Sequence, residues 1–271
     1  MSDAHAVIEA TRVATPPVPL DVDKVWLAPT PTGWVKFDFT GDEYRDLPRR
    51  KKGTTVVENV GSFLAYWEKH HTEGMSEVYA DLTRRTVTAV LDAHSTTAAG
   101  WAAHRLVLAL RHSPSLNAWR GISGTMMPQL RFAEFIEDHR PDIIEPDAAD
   151  VLELAESFQA TTTAVFKSGT ILKSGQRELQ YQETIDATAG HTKRMPIPDA
   201  LTLALLVFEG DDSAEAITAR LRYRTGDGKL QLGVILDEVE EKVRSAFDAI
   251  VDQIGGSIAA PVLRGTPAVG S

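Results

Sequence analysis

The sequence predicts an α+β protein with antiparallel hairpins and segregated helices, and three observations carry that reading. Valine- and threonine-rich stretches with short polar turns recur, as in EVYADLTRRTVTAVLDAH (77–94) and ITARLRYRTGDGKLQL (217–232). Apolar residues at helical spacing are confined to a few separate segments, the clearest being 237–256. A strand–helix–strand alternation, the mark of a parallel sheet, is absent.

Taken in order, residues 1–24 read as an extended arm, since Pro16, Pro17 and Pro19 disfavour packed structure. VWLAPTPTGWVKFDF (25–39) reads as two short strands. SFLAYWEKHH (62–71) fits an amphipathic helix capped by Ser62, with Phe63, Leu64 and Trp67 on one side. Residues 77–94 read as two strands around a turn, and AHRLVLALRH (103–112) as a buried strand. Residues 117–141 are helical, with Pro128 starting or kinking the second part. DAADVLELAESFQA (147–160) is a helix capped by Asp147, with Val151, Leu154, Ala155 and Phe158 as its stripe.

Beyond it the period changes to two. Residues 163–185 read as a long hairpin turning near Ser174-Gly175. ALTLALLVFEG (200–210) is too apolar to lie outside the core, and 217–232 forms a hairpin with TGDG (225–228) as its turn. The helix over 237–256 is expected to be capped by Asp237 and ended by Gly255. The expected organisation is an arm (1–24), an α+β body (25–254) and an extended tail (255–271). A division near residue 145 is only weakly marked.

Composition limits the function. The 271 residues carry 38 acidic against 28 basic side chains, a formal charge of −10, which argues against a general duplex-binding protein. Cysteine is absent, which removes disulfides, thiolate nucleophiles and thiolate metal sites. The N-terminus lacks a basic-then-apolar signal, and no apolar run reaches the roughly 18 residues a membrane span needs. The expectation is a cytoplasmic protein with no membrane partner.

Catalytic motifs are missing: there is no Walker A loop, no GxGxxG after a strand, no GxSxG and no HExxH. The best metal-like set is Asp92, His94 and His104 with Glu134, Glu137, Asp138 and His139, but its spacing matches no known site. No catalytic, cofactor-binding or metal-binding residue is therefore assigned. Two basic features stand out instead. Arg49, Arg50, Lys51 and Lys52 form a short basic run. Arg220, Arg222 and Arg224 would share one face of a strand, while Ala219, Leu221 and Tyr223 share the other. Both are candidates for anion contact or assembly; the alternative for the row is pairing inside one sheet, and for the run a solvated loop. Trp34, Tyr66, Trp67, Trp101 and Trp119 read as core or interface anchors.

The ordered run SFLAYWEKH, VYAD, AVLDAH, GWAAHR, LRFAEFIEDH, FKSGTILKSGQRELQYQE, IPDALTLALLVFEG and ARLRYR resembles the YfdQ-like family of phages and prophages. That likeness covers roughly 55–250. The family has no assigned reaction, so the resemblance implies a phage origin and life in the cytoplasm of an infected or lysogenic host, and no catalytic residues. More distantly, the pattern is similar to HK97-type shell proteins, which combine an N-terminal arm, a projecting hairpin, a long helix and a sheet-rich domain. In those proteins the hairpin precedes the long helix, whereas 163–185 comes late. This likeness implies a homo-oligomer closing into a capsid-like shell, or nanocompartment, with no cofactor. The alternative is an accessory protein of phage DNA metabolism or host takeover, binding nucleic acid or a protein partner.

Overall fold

The computed structural model describes residues 21–30, 33–157, 170–171, 177–185, 189–211, 213–226 and 229–268. The chain divides into two units, residues 1–52 and 53–271. The hairpin expected at the start of the body thus groups with the N-terminal segment, and the weak division near 145 falls inside one unit.

In the N-terminal unit, β1 (Val25–Thr30) and β2 (Gly33–Asp38) form a two-stranded antiparallel sheet, with Val25 opposite Asp38 and Pro29 opposite Trp34. A 3-10 turn over Asp42–Tyr44 follows, and Tyr44 meets Phe39 edge to face.

The larger unit begins with β3 (Gly53–Val57), α1 (Val60–His70), β4 (Glu77–Asp81), β5 (Thr86–Val90) and β6 (His104–Ala109). Next come α2 (Pro114–Ile122), β7 (Met127–Pro128), α3 (Gln129–Asp138), β8 (Ile143–Glu145) and α4 (Ala148–Ser157). After these lie β9 (Thr170–Ile171), β10 (Arg177–Ile185), β11 (Ala189–Ile197), β12 (Ala200–Leu206), β13 (Ala214–Gly226) and β14 (Lys229–Leu236). The last elements are α5 (Val239–Ser257) and β15 (Val262–Arg264). Mixed α+β architecture with hairpins is what the sequence led us to expect.

Two five-stranded sheets dominate, in the orders β15-β4-β5-β6-β3 and β7-β14-β13-β12-β8. Each is antiparallel at its centre, and the only parallel ladders in them are β15–β4 and β3–β6. Burial alternates along β4 to β6, so Val78, Ala80, Val87, Ala89, Leu106 and Leu108 face inward. Leu201, Leu203, Leu205, Ile217, Ala219 and Leu221 do the same in the second sheet. Both sets belong to one contiguous core, which also takes in Phe247, Ile250 and Ile254 of α5.

Several boundaries differ from the expectation for identifiable reasons. Asn59, not Ser62, caps α1: its Oδ1 accepts the Ser62 amide at 2.8 Å, so the helix starts three residues earlier. Asp237 does not cap α5, because its carboxylate is held by Arg220; Glu238 occupies the cap position with φ 52°. Gly255 does not end α5, which continues to Ser257 before Ile258 turns extended. Ser113 caps α2 through the Leu116 amide at 3.0 Å and donates to the Leu206 carbonyl, which satisfies a buried hydroxyl. Pro128 does stand at the start of α3, and Asp147 accepts the Ala149 amide at 2.8 Å at the start of α4.

Of the long hairpin, the described residues show Ile171 opposite Arg177 and Thr170 opposite Glu178, pairs that bracket the expected turn near Ser174-Gly175, and a further antiparallel ladder between β10 and β11. Residues 163–169, Ser174-Gly175 and Phe158 lie outside the described residues.

Candidate functional site

The N-terminal unit leaves an unusual amount of apolar surface open. In a two-stranded ribbon neither face is shielded by its own chain, and Val25, Leu27, Trp34, Val35 and Phe37 are all exposed, Trp34 at 71% and Leu27 at 62%. Tyr44 and Leu47 add to this. Taking about 150–250 Å² for a whole aromatic side chain, these groups together expose roughly 700 Å² of apolar area. Val25, Leu27 and Trp34 share one face of the ribbon and Val35 and Phe37 the other, so this area is divided between two patches.

The charges of this unit, by contrast, are satisfied locally. Arg45 and Arg49 both pair with Asp23. Lys52 pairs with Asp42 at 3.1 Å, and that bond, with the Arg49 amide, holds the Asp42 carboxyl below the usual carboxylate range. Lys36 does the same to Asp38, helped by Thr40. Arg50 and Lys51 also have partners. Arg49 and Lys52 of the basic run thus make ion pairs within the unit while staying part-exposed.

The arginine row lies where strand geometry placed it. Arg220, Arg222 and Arg224 are exposed on the outer face of β13, while Ala219 and Leu221 are buried. They divide in two. Arg220 is committed to Asp237 at 2.7 Å, a contact between the end of β14 and the middle of β13. Arg222 and Arg224 stand opposite Gly233 and Gln231 and have no ion pair among the described residues. Gly233 leaves no side chain to reach them, because a Cβ there would lie 2.4 Å from the Thr125 carbonyl oxygen.

The acidic and histidine set is dispersed. Asp92 Oδ1 accepts the His104 amide at 2.8 Å, His94 Nδ1 accepts that of Gly100 at 3.0 Å, and Glu134 lies 3.7 Å from Arg131. His139 stacks on Phe135 and bonds its carbonyl. Among the described residues no three His, Cys, Asp or Glu side chains are placed to hold a metal ion. His104 instead joins a small polar cluster that sequence reading did not single out. It opens β6 on the inward side, 7% exposed, and its Nε2 meets the Tyr66 hydroxyl of α1 at 3.0 Å. Thr55 of β3 donates to the same oxygen at 3.1 Å, and the His70 ring lies 5.4 Å away. No signal in the sequence joined positions 55, 66 and 104, since the β3–β6 pairing that unites them is non-local.

A cleft of about 550 Å³ opens between the start of α1 and the β12–β13 connection, floored by Leu110 and Ile250 and rimmed by Glu58, Glu209 and Asp211. Arg111 neutralises Glu58 at 3.0 Å, and the remaining carboxylates make the rim unfavourable for phosphate.

Fold and surfaces together define a mixed α+β protein with two open features, an apolar N-terminal ribbon and a pair of arginines without ion pairs among the described residues. The chain belongs to the family described as an uncharacterized conserved protein (DUF2303), whose family model matches residues 4–267 and so spans both units. No curated protein and no solved structure matches it. No helix among the described residues is long and apolar enough to cross a membrane.

Proposed function

We propose that this is a structural protein that assembles with further copies of itself, and that the assembly closes into a capsid-like shell. The observation that carries this is the N-terminal ribbon. Two-stranded hairpins are marginal in water on their own, and this one holds Trp34, Leu27 and Phe37 open to solvent. Burial at roughly 25 cal/mol per Å² rewards covering such a surface. Arg222 and Arg224 add charges that a neighbouring carboxylate surface would complement. The resemblance of this chain's motifs to a phage and prophage family is compatible with a shell made in a bacterial host, and closed symmetry is the usual outcome of repeated contacts between identical chains.

The test is particle mass by light scattering, followed by negative-stain imaging. A closed shell of about sixty chains of 29.6 kDa would weigh about 1.8 MDa. A monodisperse monomer or dimer at micromolar concentration and moderate salt overturns the proposal. The second reading, a nucleic-acid accessory protein, rests on Arg222 and Arg224 and on the basic run Arg49, Arg50, Lys51 and Lys52, of which Arg49 and Lys52 also make ion pairs within the chain. It predicts DNA binding that weakens steeply with salt.

A further inference from the structure

The two five-stranded sheets have four edges, and three are blunted. β7 has two residues, one of them Pro128, and β8 and β15 have three each, carrying Glu145 and Arg264. Short strands, proline and charge are the usual guards against strand addition. The fourth edge, β3, has none of them: its five residues are Gly-Thr-Thr-Val-Val, and Val56 is 60% exposed. The Gly53 amide donates to the Ala103 carbonyl at 2.8 Å, so the groups of Gly53, Thr55 and Val57 turn toward β6. Those of Thr54 and Val56 therefore point outward, with no strand beside them among the described residues.

The ribbon has one edge suited to fill that position. The Phe39 amide donates to the Lys24 carbonyl at 3.1 Å, and by alternation the groups of Trp26 and Phe37 face each other across the pair. The outward positions are then Val25, Leu27 and Pro29 on β1, and Trp34, Lys36 and Asp38 on β2. Pro29 offers no N–H and blunts the β1 edge. The β2 edge has no proline, and the two charges it carries, Lys36 and Asp38, pair with each other at 2.8 Å.

We infer that the β2 edge of one copy adds to the β3 edge of the next copy, extending its sheet by the ribbon. A second copy is the occupant because the N-terminal unit, the ribbon with Tyr44 and Leu47, exposes roughly 700 Å² of apolar side chain, against the about 800 Å² each partner gives a stable interface. Val56 lies where such a ribbon would cover it. The contact joins different surfaces of the two copies, so it propagates from chain to chain, as rings and shells require and an isologous dimer does not. This inference rests on the self-assembly reading and names the surfaces that would produce it.

The absence of native cysteine makes the test clean. Lys36→Cys and Val56→Cys chains, carrying tags of different length, are co-produced and treated with a short bis-maleimide. The expected product is a two-chain species containing both tags, with neither variant cross-linking to itself. Efficient self-linking of Lys36→Cys would show ribbon against ribbon and overturn the inference. So would linkage inside single chains of the double variant at high dilution. A full-mass particle without any 36–56 link overturns this contact while leaving self-assembly standing; a monomeric unmodified protein removes both. As an independent check, Val56→Lys places a guarding charge on the edge, and it should reduce particle mass to small species with unchanged circular dichroism. Normal particles from that variant count against the inference.

Discussion

His112 has an inconvenient position. Its Nδ1 faces the Arg120 guanidinium at 3.4 Å, and a guanidinium can only donate, so in the neutral ring the proton sits on Nε2. That nitrogen is buried without a hydrogen-bond partner. Burial, with Arg85 and Arg120 nearby, lowers the affinity of the ring for a second proton, and Glu240 opposes this only in part. An unfolded histidine titrates near about 6.5, so below that pH the unfolded chain takes up a proton the folded chain refuses. Stability contributed at neutral pH is accordingly lost as pH falls from about 6.5 through the lower folded value. Denaturant melts at pH 7.5 and 5.5 should show this loss, and His112→Gln should diminish it; an unchanged pH dependence would place the cause elsewhere. Arg220 is a contrasting case. It and Asp237 are both part-exposed, and exposed pairs contribute about 0–1 kcal/mol, so Arg220→Gln should change stability by no more than that.

At the scale of elements, caps and stripes make unequal contributions. Asn59→Ala removes the bond to the Ser62 amide and should cost about 1 kcal/mol, whereas Ser62→Ala should cost little, because the Ser62 side chain is not the cap. Chemical denaturation of the pair separates the two assignments. Phe247 is completely buried on α5 against the core, and Phe247→Ala should cost about 3–5 kcal/mol through lost burial and the cavity left behind. The difference has a simple origin: a cap satisfies one amide that water would otherwise reach, while Phe247 is surrounded on every side.

For the whole molecule, the informative charges are Arg222 and Arg224, exposed on β13 with no ion pair among the described residues. Replacing Arg222 and Arg224 by glutamine keeps chain length and much of the packing while removing two exposed charges. If they meet carboxylates of a neighbouring copy, the variant should lose assembly as a folded chain, since those carboxylates would be left unpaired. If they meet nucleic acid, particle mass should hold while DNA affinity and its salt slope fall. Extending the change to Arg220 should alter assembly little further, because Arg220 already has Asp237. Light scattering with a salt-dependent binding assay distinguishes these outcomes, and a fully assembled double variant would count against an interface role for the row.

Local patterns by themselves determined a good deal of this protein. Alternation along 77–94 and 217–232 set the faces of β4, β5 and β13, because a strand's two-residue period sends neighbours to opposite sides whatever the sheet meets. The stripe Val239, Val243, Phe247, Ile250, Val251 and Ile254 likewise marked the inner side of α5, all buried except Val239, which is partly buried. The outward row of arginines was legible for the same reason. What the row meets was not: Asp237 lies 17 residues from Arg220, and only the β13–β14 register brings them together. That same contact took Asp237 from the cap it was expected to provide. The open edge of β3 and the Tyr66–His104–Thr55 cluster also depend on the β3–β6 ladder, which links segments about fifty residues apart. Pairing over such distances depends on which edges remain after the core has closed. Only the tertiary structure decides that, because it is a property of the assembled sheets and of no single segment.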